Sequence, residues 1–342
     1  MGKLFVSIII PSYNSASTIG QAIKASLAQD YPENKMEIIV VDDGSTDNTR
    51  DVVKRYVDYK VTRSQSHKVT YLWQEKKGPA AARNRGWRRA KGDVIFFTDA
   101  DCIPARDCLA VMTEDIVKKN IGVTAGTYGI KNRQSIVATS IHEEIMFRHL
   151  RMPNYINSFG TYNVLIKRSI LNGLGGFNEN YLSSSAEDSD LSYRIIAKGY
   201  KIYFEKQSAV LHFYRENLYG YLKNQFKRAF WAMELCKHHP IALLNDYYTH
   251  WKDFIEVPLA ILLIMAILFS WNVMFMITVL MYLFIEAVIP FSVYLKKRDV
   301  KLFLMLLVMM SIRTFVRMLG GIAGLIWRVG GITYGGILKK IL

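Results

Sequence analysis

Asp93-Val94-Ile95-Phe96-Phe97-Thr98-Asp99-Ala100-Asp101 is a short apolar run that ends in two carboxylates one residue apart. Its middle is continuously β-branched or aromatic, the composition of a strand buried on both faces of a parallel sheet. Side chains alternate along a strand, so Asp99 and Asp101 would share a face. As the strand opens into a loop, their oxygens would converge on a single hard cation. Open α/β sheets bind ligands beyond the carboxyl ends of their strands, which puts both acids where a ligand would sit. On its own such a pair is more often a solvated turn, and the flanking segments have to decide.

Upstream, residues 5–10 read as a strand that Pro11-Ser12-Tyr13-Asn14 breaks with turn and capping chemistry, ahead of a helix over about 17–29. Residues 37–41 form a second buried strand running into Asp42-Asp43-Gly44-Ser45-Thr46-Asp47, where Asp47 suits the cap of a helix over 48–56. Capping accounts for Ser45, Thr46 and Asp47; it does not account for Asp42 and Asp43. A third strand over 69–73 leads to Gly78-Pro79-Ala80-Ala81-Ala82-Arg83-Asn84-Arg85-Gly86 and a helix to Ala90. Arg83 and Arg85 fall in the first part of that helix, whose amino end favours anions, although a solvated basic face would look the same. Three βα units that each close on polar residues describe an α/β nucleotide-binding sheet, Rossmann-like in layout. Farther along, residues 159–166 read as a strand, and Glu187-Asp188 opens a helical segment where an acid is also a plain helix cap.

In order and spacing these blocks resemble the family 2 glycosyltransferases, whose catalytic domain has the GT-A fold. The likeness rests on Pro11-Ser12-Tyr13-Asn14, on Val40-Val41-Asp42-Asp43-Gly44-Ser45-Thr46-Asp47, on Gly78-Pro79-Ala80 through Arg83-Asn84 and on Thr98-Asp99-Ala100-Asp101. Gly175-Gly176-Phe177-Asn178-Glu179 and Glu187-Asp188-Ser189-Asp190-Leu191-Ser192-Tyr193-Arg194 match the family's acceptor-side elements. The resemblance, which covers about residues 4–235, implies that Pro11, Tyr13 and Asp43 hold a nucleotide base. Asn14, Asp42 and Ala100 complete the nucleotide-sugar set. It implies that Arg83 reaches the diphosphate, and that Asp99 and Asp101 address the ribose and a Mg2+ or Mn2+ bridging the phosphates. Asp101 would be the direct metal ligand. His212 lies where the family often has a His near the metal or diphosphate; a His beside aromatics is also an ordinary packed residue. One acid, Asp188 ahead of Glu187, would take the proton from an acceptor hydroxyl as it attacks the anomeric carbon, with inversion.

Gln225-Phe226-Lys227-Arg228-Ala229-Phe230-Trp231 is similar to the Gln-x-x-Arg-Trp element of the family's polymerising members, with the Trp displaced by two positions. Arg228 would then meet phosphate and Trp231 stack on a sugar. An amphipathic helix at the membrane surface explains residues 219–235 almost as well.

The 342-residue chain holds 44 Lys+Arg against 29 Asp+Glu, a net charge of +15, which suits an anionic membrane face or phosphate-bearing substrates. No nucleic-acid motif accompanies that charge. Cys102, Cys108 and Cys236 have neither disulfide-framework nor zinc-type spacing. The amino terminus lacks a signal-peptide layout, so the soluble part is expected in the cytosol. Residues 255–295 and 302–327 are membrane-length apolar blocks; the first fits a hairpin turning near Ser270-Trp271-Asn272. Lys296, Lys297, Arg298 and Lys301 then mark the cytosolic side. The second block carries Arg313 and Arg317, at about 2.5 to 3.5 kcal/mol each in the lipid core. Either it is interfacial or re-entrant, or the two arginines face a cleft and bind the phosphate of a lipid carrier. Gly320, Gly321 and Gly324 would let another helix approach closely.

The expected organisation is a GT-A catalytic domain over 1–235, a linker over 236–254 and a membrane region of two to three helices over 255–342. The expected function is a metal-dependent, multi-pass membrane glycosyltransferase that uses a UDP- or GDP-linked sugar and a lipid-linked or cell-envelope acceptor at the cytosolic face. The alternatives are a polyprenyl (dolichyl) phosphate glycosyltransferase and, from another class, a transporter with a nucleotide-sensing domain.

Overall fold

β1 (Val6–Ser12) buries Ile8, Ile9 and Ile10 completely, and in the computed structural model it lies between two parallel neighbours. α1 (Ile19–Leu27) follows it, then β2 (Met36–Asp42), α2 (Thr49–Val57), β3 (Val69–Trp73), α3 (Pro79–Arg89) and β4 (Val94–Thr98). β5 (Cys102–Pro104), α4 (Cys108–Lys118) and β6 (Val123–Ile130) come next, before α5 (Ile136–His149). β7 (Tyr155–Ile156), β8 (Asn163–Lys167), α6 (Arg168–Leu174), α7 (Glu187–Ala197) and β9 (Ile202–His212) complete the αβ part. Four helices end the chain: α8 (Leu218–His238), α9 (Trp251–Leu268), α10 (Asn272–Lys297) and α11 (Val300–Gly330). The structure describes residues 3–57, 69–181, 186–240, 246–269 and 272–330.

The chain divides into two units, residues 1–129 with 153–213 and residues 130–152 with 214–342. In the first, the sheet order is β3-β2-β1-β4-β8-β6-β9-β5, with β7 on β9. β3, β2, β1 and β4 are parallel, while β8 runs antiparallel to both β4 and β6. This is a mixed, GT-A-like sheet whose parallel half consists of the three expected βα units and the strand after them. Ile8, Ile10, Ile38, Val40 and Phe96 pack with Ile23 of α1 and Leu109 and Met112 of α4 in one core. At about 25 cal/mol per Å2 of buried apolar surface, that core fixes which strand ends lie together.

One expectation changes at the decisive stretch. β4 stops at Thr98, so Asp99 and Asp101 lie in the turn leading to β5 rather than on one strand face.

The second unit is helical. Phe147 of α5 packs with Ile289 and Val293 of α10 and Leu302, Leu306 and Met310 of α11. The expected domain boundaries shift accordingly, because α5 and α8 join the carboxyl-terminal helices rather than the catalytic domain. The reason is ionic as well as apolar: Glu144 of α5 pairs with Arg313 at 2.5 Å, and Arg148 pairs with Asp253 at 2.5 Å. Among the described residues, two helices are long and apolar enough to cross a membrane, α10 and α11. α9 carries Lys252, Asp253 and Glu256 in its first turns and falls short. Ser270 and Trp271, at the expected hairpin turn, lie outside the described residues.

Candidate active site

The amino-terminal loops are sewn to one another. The Asn14 backbone N–H donates to Ser45 Oγ at 2.9 Å, and the Thr46 N–H donates to Asn14 Oδ1 at 2.8 Å. Asn14 sits at φ 48, a left-handed conformation that Asn tolerates because its short polar side chain bonds locally. Asp47 accepts from Thr49 N at 3.0 Å and caps α2 as expected. Asp42 is drawn into its own turn: it accepts from Ser45 N at 2.8 Å and Tyr71 Oη at 2.7 Å, and is 1% exposed. Its expected place against a nucleotide therefore gives way to a structural one. Asp43 accepts from Gln74 Nε2, Lys77 N and Gly78 N at 2.7, 2.8 and 2.9 Å, which anchors the loop ahead of α3. A carboxylate offers about four acceptor positions, so Asp43 keeps capacity for one more donor. Tyr13 is 41% exposed, with Lys76 Nζ 3.9 Å from its ring centroid. Pro11, paired with Val41 in the sheet, is half-buried beside this loop.

Arg83 is the junction of the site. Pro79 at the start of α3 and the buried Ala80, Ala81 and Ala82 bring the helix close to the sheet, and Arg83 points inward while Arg85 stays in solvent. Its Nη2 donates to Asp99 Oδ1 at 2.9 Å and its Nη1 to Glu187 Oε1 at 2.8 Å, with 3% of the side chain exposed. Burial disfavours the charged guanidinium, but Asp99 and Glu187 more than offset it and hold the group protonated. Burial also raises the Asp99 carboxyl above its ordinary range, with Arg83 opposing and Asp101 reinforcing. Thus the residue expected on a diphosphate is here the clasp that joins the β4–β5 turn to α7. Its Nε, buried, has no hydrogen-bond partner among the described residues.

The two acids of the opening stretch divide their work. Asp99 turns to Arg83, whereas Asp101 Oδ2 lies 3.3 Å from His212 Nε2. β5 and β9 pair antiparallel with Cys102 directly opposite His212. Asp101, Cys102 and His212 thereby place an oxygen, a sulfur and a nitrogen within 4.8 Å of one another. Cis ligands on an octahedral Mg2+ or Mn2+ stand about 3 Å apart, so the Asp101–His212 spacing fits such an ion. Asp101 is 43% exposed and His212 20%, which leaves the approach from solvent open. Asp99 and Asp101 thus have different nearest partners, Arg83 for the one and His212 for the other. Cysteine spacing along the chain gave no hint of Cys102 here, since its neighbours are assembled by the β5–β9 pairing.

Glu187 and Asp188 begin α7. Glu187 is 2% exposed and committed to Arg83, while Asp188 is half-buried, accepts from Ser189 N at 2.8 Å and adds to the negative charge around Arg83. Of the two, Asp188 is the less buried. Ser183, Ser184 and Ser185, which precede α7, lie outside the described residues. Sequence reasoning missed the role of Asn84. Its Oδ1 accepts from the Phe177 and Trp87 N–H groups, both at 2.9 Å, and its Nδ2 donates to Phe177 O at 2.9 Å and Glu179 Oε1 at 2.7 Å. Gly176, at φ 82, gives that loop a turn other residues rarely adopt. Phe177 then meets Phe97 edge-on at 5.2 Å, with the Arg83 guanidinium 5.7 Å from its ring centroid.

The remaining expected site residues lie in the second unit. Arg228 is exposed on α8. Trp231 is 1% exposed and meets Trp327 at 6.0 Å, so its ring is packed rather than offered to a sugar. Arg313 is fully buried against Glu144 at 2.5 Å and Glu256 at 3.4 Å, and Arg317 pairs with Glu256 at 3.2 Å and Gln225 Oε1 at 2.9 Å. Both guanidinium groups meet internal carboxylates, which removes the need for a lipid phosphate to neutralise them. Gly320 and Gly324 do bring α8 close: a Cβ there would stand 2.5 and 2.6 Å from the carbonyl oxygens of Phe226 and Phe230.

Residues 7–172 match the family described as "Glycosyl transferase family 2". The chain is 34% identical over 173 residues to the Escherichia coli UDP-Glc:alpha-D-GlcNAc-diphosphoundecaprenol beta-1,3-glucosyltransferase WfgD, covering 50% of this chain and 64% of the relative. It is 28% identical over 285 residues to the poly-beta-1,6-N-acetyl-D-glucosamine synthase of Staphylococcus aureus, covering 81% of this chain and again 64% of the relative. The chain thus spans under two thirds of the length of these relatives. A mannosyltransferase from Pyrobaculum calidifontis, solved in complex with GDP-Man and Mn2+, shares the fold with a TM-score of 0.61, 20% identity and coverage of 97% of this chain and 89% of its own.

Proposed function

We propose, on the match of residues 7–172 to glycosyl transferase family 2, that the chain is a member of that family which moves a sugar from a nucleoside-diphosphate donor to a lipid-linked or cell-envelope glycan at the cytosolic membrane face. The observation that carries the reading is the meeting of Asp99, Arg83 and Glu187, from three separate segments, beside the exposed Asp101 and the half-buried His212. WfgD, by its name, uses UDP-Glc and a diphosphoundecaprenol-linked sugar, and the Pyrobaculum enzyme was solved with GDP-Man and Mn2+; both support a UDP- or GDP-linked donor and a divalent cation. Two apolar helices, α10 and α11, support membrane association.

In this reading Tyr13 and the remaining acceptor position of Asp43 receive the base. Asp101 and His212 hold a divalent cation, which when bound would offset the charge that accumulates on the departing diphosphate. Arg83 fixes the Asp99 turn and α7 in one arrangement, so the acids do not have to be gathered during the reaction. Asp188 accepts the proton of the acceptor hydroxyl as its oxygen attacks the anomeric carbon, and attack opposite the leaving group inverts the centre. Asp188→Asn separates this from transfer onto a polyprenyl phosphate, which is already ionised and needs no base. The test is release of UDP or GDP from a panel of nucleotide sugars by the full chain in detergent. Turnover that is unaffected by chelator and by Asp101→Ala would defeat the proposal.

A further inference from the structure

We propose that the Cys102 thiol is a ligand in reserve at the Asp101–His212 cation site, making it a high-affinity site for thiophilic divalent ions such as Zn2+ or Co2+. The inference rests on the reading of Asp101 and His212 as cation ligands and goes beyond it. Two distances carry it: Asp101 Oδ2 to His212 Nε2 at 3.3 Å, and Asp101 Oδ1 to Cys102 Sγ at 3.8 Å. All three ligand atoms lie within 4.8 Å of one another. Around a tetrahedral zinc, with metal–ligand bonds of about 2.0 to 2.3 Å, ligand atoms stand about 3.3 to 3.8 Å apart. The two Asp101 distances fall in that range but run to different oxygens of its carboxylate, so ligation would turn the half-exposed Asp101 to bring one oxygen to both partners, while Cys102 stays packed against Tyr162 and Val210. A carboxylate, an imidazole and a thiolate form a common zinc-binding set, and a fourth position stays open to water or a phosphate oxygen. Manganese and magnesium gain little from sulfur, whereas zinc and cobalt gain much.

Backbone pairing holds the thiol there. Cys102 faces His212 in the β5–β9 register, and Phe213 N donates to Asp101 O at 3.1 Å, tying both ends of the triad to one strand pair. Ligation exchanges a proton for the ion: the sulfur–metal bond forms as the thiol proton passes to solvent. No electron transfer is involved. Zn2+ would therefore compete with a hard activating cation for the same position and hold it far longer.

The test uses the full chain in detergent, with Co2+ as a spectroscopic probe and Mn2+ as the hard-ion control. The wild type should show a near-ultraviolet sulfur-to-cobalt charge-transfer band that saturates at one ion per chain and is abolished by excess Zn2+. Cys102→Ser should lose the band, and calorimetry should show its Co2+ affinity at least tenfold weaker while Mn2+ affinity moves less than threefold. Co2+ bound without the band in wild-type protein, displaced by Mn2+, would overturn the thiol's role and leave the Asp101–His212 site standing. A band that survives Cys102→Ser would also overturn it, assigning the sulfur to Cys108 or Cys236. If the wild type takes up neither Mn2+ nor Co2+, with nucleoside diphosphate present, the cation site itself fails and the proposal with it.

Discussion

Arg83 and Arg313 are both guanidinium groups withdrawn from water between carboxylates, yet their surroundings differ in one respect. Arg313 meets Glu144, 9% exposed, and Glu256, 1% exposed, within a set where Arg148, Lys252 and Arg317 answer Asp253 and Glu286, so charge is balanced without solvent. Arg83 meets the buried Glu187 but also Asp99, 31% exposed, beside the 43% exposed Asp101. A closed set holds helices together and has nothing to offer a ligand. An open set can take in a cation and an anion, because solvent reaches its charges.

The largest effect should follow from removing the open end. Asp101→Ala should lower transfer by about 10^3-fold or more, since charge stabilisation by a cation is worth several kcal/mol and each 1.36 kcal/mol is tenfold. Thermal unfolding should be little changed, because the side chain is exposed. A large loss of stability would show Asp101 to be part of a closed set. Asp188→Asn comes next, at about 10^2 to 10^3-fold in kcat for a hydroxyl acceptor, read by initial rates at saturating donor. Arg313→Met should do the reverse, leaving Glu144 buried without its closest partner at a cost of about 3 to 5 kcal/mol. Unfolding in detergent would measure it, and turnover per folded molecule should hold.

This contrast was only half visible in the residue order. The apolar middles of the strands at 94–97 and 37–41, the loop acids and the helix at 187 were legible because buried strands read as continuous apolar runs and their ends carry polar residues. The likeness to a known family supplied the grouping of Asp43, Arg83, Asp101 and Asp188. What stayed hidden depends on pairing in space. Asp42 and Asp43 are adjacent and alike in sequence, yet Tyr71 takes one and the Gly78 loop the other. Arg313 looked like a phosphate ligand because its carboxylates lie on α5 and α9, far away along the chain. Cys102 looked incidental because its neighbour His212 arrives only through β9.

A smaller effect sharpens the comparison through pH. His142 and His149, on α5 in the second unit, are both pushed down to about 4 from an ordinary 6.5, in each case chiefly by burial. The unfolded chain takes up these protons near 6.5 and the folded one only near 4. Stability of the second unit is therefore full above 6.5 and falls as pH drops toward 4. His142→Gln should flatten part of that slope in a series of melting curves, whereas an unchanged slope would place the titrating groups elsewhere.

The smallest effect is the control that gives the others their meaning. Arg88 and Glu179 pair at 3.3 Å with 55% and 44% of their side chains exposed. Exposed pairs gain little, because water screens the attraction and both side chains give up freedom to make it. Arg88→Ala should shift unfolding by no more than about 0.5 kcal/mol and leave turnover alone. Glu179→Ala should cost more, since Glu179 also accepts from the buried Asn84 amide that holds the Phe177 loop. If the two substitutions cost the same, Glu179 acts only through its surface partner. If Arg88→Ala cost as much as Arg313→Met, the number of charges rather than their enclosure would govern stability, and the distinction between the open and closed sets would lose its physical basis.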